Sequence, residues 1–213
     1  MHAFSHELTD IELMDLRSYT GYNFKNINAI LRGNWNYEEN GLLNQEVEAK
    51  YRSLARNIEN ITDKFPKLDT NFVVFRGVEA NYFSKYGITS LNELASMKDK
   101  FIYEEGFTST SILKDTSYFG KSLETGKNYN VEIKYLISSD SQNGALLMNS
   151  NFSYSPNQNE FLINAGSLSK VIDVIVDYEN STASLTIVLV PKKLWNIYEV
   201  NNTKEIIEKP RSY

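Results

Sequence analysis

The chain has no cysteine, which removes disulfides, zinc–thiolate sites and cysteine nucleophiles in one step. Its two histidines, His2 and His6, both lie at the extreme N-terminus. A Ser–His–Asp triad or a histidine-based metal site is therefore not expected, and no metal is assigned. Proline is scarce, at 4 of 213 residues, and no Gly/Ser/Pro-rich stretch marks a linker. Long apolar runs are missing too. The longest, 171–176 and 185–190, have strand length, far below the roughly 20 residues of a bilayer helix, so no membrane span is expected. Basic charge is in deficit: 22 Lys and Arg face 27 Asp and Glu, for a net charge of −5. That weighs against a stable nucleic-acid partner, which needs clustered cations. Residues 1–10 carry neither a basic nor an apolar segment, so no signal peptide is read there. Whatever chemistry exists runs on carboxylates, Arg, Lys, hydroxyls and amides.

What is present is ample core material: 13% of residues are aromatic, too many for a disordered chain. Helical spacing dominates the first third. Asp10 is placed as a cap for a segment with Ile11, Leu13, Met14 and Leu16, and Gly21 as a break after it. Phe24, Ile27, Ile30 and Leu31 form a second segment ending at Arg32-Gly33. Val47, Tyr51, Leu54, Ala55, Ile58 and Ile61 form the clearest helix, with Pro66 just beyond it. After Pro66 the texture changes. The run 71–76 is β-rich and closed by Gly77, and 80–100 reads as a short helical excursion. Strand signals follow at 107–112, 130–137, 145–148, 160–163, 171–177 and 184–190. Helices first and strands later predict an α+β fold. The chain is read as one domain over 1–213: helical over 8–65, strand-rich over 70–192, and a polar, loosely docked tail over 193–213.

Three short blocks carry candidate chemistry: Phe75-Arg76-Gly77 at a strand end, Gly106-Phe107-Thr108-Ser109-Thr110-Ser111, and Gln158-Asn159-Glu160 where a polar loop meets an apolar strand. Singly, each has an ordinary reading as a surface arginine, an edge strand and a loop charge. Glu104-Glu105 reads as a turn, and Asp173, Asp177 and Glu179 as a solvated strand face.

The order Arg76, Ser109-Thr110-Ser111, Gln158-x-Glu160 resembles the R-S-E class of bacterial mono-ADP-ribosyltransferases. The text Ser18-Tyr19-Thr20, Ile27-Asn28, Leu31-Arg32 is similar to that family's N-terminal NAD-binding helix, so the likeness runs from about residue 10 to about residue 190. A Gln two residues before the catalytic Glu resembles the Rho-inactivating clostridial exoenzymes, which modify an asparagine of Rho GTPases. Arginine-modifying members usually carry Glu there. Two departures stand out. The family's loop aromatic lies three residues before the Gln, whereas here position 155 is Ser and Tyr154 lies four before. Rho-type exoenzymes are also generally basic, and this chain is acidic.

The resemblance implies an ADP-ribosyltransferase fold, with two facing, antiparallel-rich sheets forming an NAD cleft and the N-terminal helices packed alongside. It implies NAD as co-substrate and a monomeric bacterial toxin, secreted or delivered, that acts in the host cytosol on a protein acceptor. It assigns Glu160, Gln158, Ser109 and Arg76 to catalysis, with Ser109 orienting Glu160. It gives Arg32, Asn28, Tyr19, Arg76, Gly77, Thr110, Ser111, Phe119 and Lys121 to NAD, and Gln158 with Tyr154 or Phe152 to the acceptor protein. These residue types suit the reaction. Breaking the nicotinamide–ribose bond passes through an oxocarbenium-like state. A carboxylate about 4 Å away, at an effective dielectric near 20, is worth on the order of 4 kcal/mol, or roughly a thousandfold in rate. Guanidinium forks match pyrophosphate oxygens, and an amide such as Gln158 both donates to and accepts from an asparagine. Other acceptors remain open: actin or another protein, guanine in DNA, or water in plain NAD hydrolysis. From a different class, so does a non-catalytic β-rich binding module.

Overall fold

The computed structural model describes residues 8–34, 45–117, 119–120, 128–147, 152–153, 159–200 and 206–208. The chain forms two compact units. The first holds 1–67, 104–109 and 143–166; the second holds 68–103, 110–142 and 167–213.

In the first unit, helix α1 (Asp10–Ser18) is capped by Thr9, one residue earlier than expected. The reason is the Thr9-x-x-Glu12 spacing. The Thr9 hydroxyl accepts from the Glu12 N–H, and the Glu12 carboxylate accepts from the Thr9 N–H at 2.9 Å, a reciprocal capping box. Gly21 does not break the helix. Residues Tyr19–Asn23 form a π-helical turn that runs directly into α2 (Phe24–Leu31). That helix ends as expected at Arg32 and Gly33, the latter at φ +69°, a backbone region that glycine adopts without a Cβ penalty. Helix α3 (Gln45–Lys64) buries Ala55, Ile58 and Ile61 on one face. They join Leu16, Tyr19, Ile27, Phe65, Phe107, Leu147 and Leu162 in one core. Three strands complete this unit: the start of β3 (Thr108–Ser111), then β6 (Glu160–Ile163) and β5 (Gly144–Leu147), in the order β3-β6-β5. Strands β5 and β6 are antiparallel, with Leu147 opposite Glu160.

The second unit is built on strands in the order β2-β7-β8-β4-β1-β3. They are β1 (Phe72–Val78), β2 (Phe101–Glu104), β4 (Val131–Ile137), β7 (Ser167–Asp177) and β8 (Thr182–Leu189). Strands β4 and β8 pair in parallel; β1–β3, β1–β4 and β7–β8 are antiparallel. Alternation along β8 buries Ala183, Leu185, Ile187 and Leu189, the period-two signature of a sheet with one apolar face. The helical excursion expected over 80–100 is two 3-10 segments, Ala80–Tyr86 and Leu91–Met97, which bury Phe83, Leu94 and Met97. Strand β2 has no counterpart in the sequence reading, which assigned Glu104 to a turn. The stretch from 193, read as a loose tail, contains the end of a 3-10 segment (Lys192–Ile197) and the paired strands β9 (Tyr198–Val200) and β10 (Ile206–Glu208). The mixed α+β class is the one expected.

Candidate active site

Six of the expected residues fall among the described residues of the first unit: Tyr19, Asn28, Arg32, Ser109, Phe152 and Glu160. Tyr19 is buried, with its ring 5.0 Å from that of Phe107. The Asn28 amide donates to the Tyr19 hydroxyl at 3.4 Å, and the Asn28 side-chain oxygen accepts the Phe107 backbone N–H at 2.8 Å. One helical turn on, Arg32 Nε donates to Glu104 Oε1 at 2.8 Å, and Nη2 donates to the Phe107 carbonyl at 3.5 Å. Asn28 and Arg32 thus grip both polar groups of residue 107. Gly106 makes this possible. A Cβ there would lie 2.7 Å from Asn28 Oδ1 and 3.1 Å from Arg32 Cζ, closer than side chains tolerate.

Glu160 opens β6 and is buried. The residue before it, Asn159, adopts φ +48°, a left-handed conformation that Asn tolerates better than most residues. Ser109, whose assigned role is to orient Glu160, is an exposed residue of β3.

The second unit holds Arg76, Gly77, Thr110, Ser111 and Phe119. Arg76 and Gly77 end no strand: β1 runs through them to Val78. Arg76 pairs with Ile133 of β4, and its guanidinium lies over the Tyr82 ring at 5.5 Å. Tyr82 is a platform that sequence reasoning missed; only its place six residues after the arginine hints at it. The Gly77 N–H donates to the Ser117 carbonyl at 2.6 Å. Thr110 and Ser111 are buried. The Ser111 hydroxyl contacts that of Thr116 and accepts the Leu113 N–H at 3.1 Å, so it holds the turn after β3. Phe119 is half-buried, with Lys114 over its ring at 5.5 Å. Lys114 also lies 2.9 Å from Glu132, which is almost fully buried beside Gly77 in the β1–β4 register and has Lys134 at 3.4 Å. Neither Glu132 nor Lys114 was singled out from sequence.

Phe152, expected with Tyr154 as an alternative contact for the acceptor protein, lies in the core of the first unit. It is 4% exposed and packs edge-on against Phe65 at 5.0 Å, because an aromatic ring in a polar loop gains more by burial than by waiting in water. Glu104, expected in a turn, ends β2 as a buried partner of Arg32. Gln158, Tyr154 and Lys121 lie outside the described residues. Among the described residues, no group of carboxylates and histidines has a metal-binding arrangement.

The Arg32 guanidinium, at the end of α2, keeps an edge beyond its described contacts with Glu104 and Phe107, of the kind that can hold an anion. No curated protein sequence matches the chain. By structure it is similar to Plx2a, an ADP-ribosyltransferase toxin from Paenibacillus larvae, at 20% identity and TM-score 0.64, covering 89% of this chain and 90% of that one. It is also similar to an ADP-ribosyltransferase from Clostridium botulinum, at 22% identity and TM-score 0.65, covering 85% and 87%. Vis from Vibrio splendidus, solved in complex with agmatine, matches at 16% identity and TM-score 0.65, covering 93% and 84%. The sequence model of the ADP-ribosyltransferase exoenzyme family matches residues 1–208. The chain therefore belongs to the ADP-ribosyltransferase exoenzymes, and it is a mono-ADP-ribosyltransferase with NAD as co-substrate.

Proposed function

We propose that this enzyme, acting in one domain as a toxin secreted or delivered into a host cell, transfers ADP-ribose to an asparagine of a Rho-family small GTPase. The observation that carries the acceptor is Gln158, two residues before Glu160, where arginine-modifying members usually have Glu. A primary amide both donates and accepts, which suits an amide target. The similarity to the Clostridium botulinum enzyme supports the same branch.

In this reading Glu160 faces the ribose and stabilises the oxocarbenium-like charge as nicotinamide leaves. Ser109 fixes one of its carboxylate oxygens. Arg32 and Arg76 hold phosphate oxygens, with Tyr19 and Asn28 shaping the wall near Arg32. Gly77, Thr110, Ser111, Phe119 and Lys121 line the nicotinamide side, and Phe119 excludes water from the ring. Gln158 and Tyr154 meet the acceptor.

The test is labelling of a eukaryotic lysate with tagged NAD, using Glu160→Gln as the dead control. A band of a small GTPase's size that is absent with the control, and lost when Gln158 is replaced by Glu while NAD hydrolysis survives, is the expected result. A guanidinium acceptor is the second reading, favoured by the likeness to Vis with agmatine. Labelled agmatine in place of a labelled GTPase would establish it and remove the Rho assignment.

A further inference from the structure

We propose that Glu104 is a positioning residue that presents the Arg32 guanidinium to the NAD pyrophosphate; this rests on the reading above that Arg32 binds phosphate. The Glu104 side chain is only 8% exposed, against 29% for Arg32. A carboxylate that deep is costly unless a cation answers it, and Arg32 Nε does so at 2.8 Å across 72 residues of sequence. The pair therefore holds a fixed geometry, unlike a surface ion pair between two mobile side chains.

A guanidinium is planar, so two anchors set its plane. Here they are Nε on Glu104 and one Nη2 hydrogen on the Phe107 carbonyl. The described contacts leave the Nη1 pair and the second Nη2 hydrogen on the opposite edge. That is a fork of the kind that binds two phosphate oxygens together. Glu104 occupies the Nε edge, so the repulsion between its charge and a phosphate is spanned by the cation itself. Gly106 and Asn28 hold the same segment from behind, through the close approach at Gly106 and the bond to the Phe107 N–H. An arginine already held in its binding rotamer gives up less freedom when the ligand arrives.

The experiment measures NAD affinity by calorimetry and NAD glycohydrolase kinetics in the parent and in Arg32→Ala, Glu104→Met, Glu104→Gln and the Arg32→Ala/Glu104→Met double variant. Met fills the space of Glu104 without an acceptor. Glu104→Met is expected to raise Kd and KM for NAD about three- to tenfold with kcat nearly kept. Glu104→Gln, which keeps an acceptor oxygen, should recover much of that loss, and should carry the comparison if the Met variant does not fold. The signature is the double variant, with the same Kd as Arg32→Ala alone, because Glu104 acts through Arg32. If the two losses multiply, or if Glu104→Met leaves Kd unchanged while Arg32→Ala raises it, the positioning role is wrong and the Arg32 reading stands. An unchanged Kd in Arg32→Ala removes the phosphate role itself, and Glu104's role with it.

Discussion

In the unit that carries Arg32 and Glu160, side-chain amides and carboxylates reach backbone and one another inside the fold. Asn28 holds Phe107, Glu104 holds Arg32, and Thr62 donates to Asn164 at 2.6 Å among buried residues. In the unit that carries Arg76, the sheet interior is mainly apolar. Val74, Val78, Ile133, Ile137, Leu185 and Ile187 are all buried, and Glu132 sits in register with Gly77 and Ser184. The difference teaches where fold and chemistry are separable. A sheet core of methyl groups has no direction, so its loss costs stability alone. A buried hydrogen-bond network has direction, so its loss also moves the groups that meet a ligand.

The largest effect sharpens the chemical side. Glu160→Gln should cut NAD hydrolysis and transfer roughly a thousandfold and leave the thermal midpoint within a few degrees; a parallel collapse of both would make Glu160 a structural residue. Next comes the apolar core of the unit that carries Arg76. Phe83, with no exposed surface, should on replacement by Ala cost about 3–5 kcal/mol in denaturant unfolding. NAD affinity per folded molecule should not move, and a shifted Kd would break the separation drawn above. Gly106→Ala should cost about 1–3 kcal/mol and, unlike Phe83→Ala, should also raise KM for NAD. Tyr82→Leu removes the ring beneath Arg76 and should weaken NAD binding only a few-fold, given about 0.5–1 kcal/mol for a partly exposed cation–π contact.

The smallest effect is electrostatic. Lys64, donating to the Glu12 carboxylate, and the Thr9 N–H hold Glu12 below the usual carboxylate range. The folded-state value lies below the unfolded one, so this contribution is fully present above the ordinary Glu pKa and fades as pH falls through the depressed value. Stability of Glu12→Gln should therefore approach that of the parent in acid and fall slightly below it near neutrality, as read from paired melting curves.

Much of the fold is legible in the sequence where periodicity speaks. The α3 face of Ala55, Ile58 and Ile61, the end of α2 at Gly33, and β6 from Glu160 follow from spacing and caps. What stays hidden depends on partners distant in sequence. Strand β2 ends in a carboxylate that reads as part of a turn until Arg32 is placed beside it. Phe152 reads as a loop contact until Phe65 is placed beside it. The capping box, by contrast, is visible in Thr9-x-x-Glu12, although Asp10 beside it competes for the same role. Of the candidate site, the residue types and their order are readable. Tyr82, Glu104, Lys114 and Glu132 are not, because nothing local marks a residue that works by supporting another.

The π turn at Tyr19–Asn23 carries a consequence for how such sequences diverge. Tyr19 and Asn28 are nine residues apart and hydrogen-bonded. On an unbroken α-helix nine residues amount to two and a half turns, which would place them on opposite sides. The π turn takes up one extra residue, so the two lie roughly 80° apart around the axis instead of 180°. Deleting one residue of the π turn would restore a regular helix with its flanks near their present rotation, whereas any further change of length would turn Tyr19 by about 100° relative to Asn28. Length in this stretch thus sets how Tyr19 faces Asn28, the pair proposed to shape the wall near Arg32.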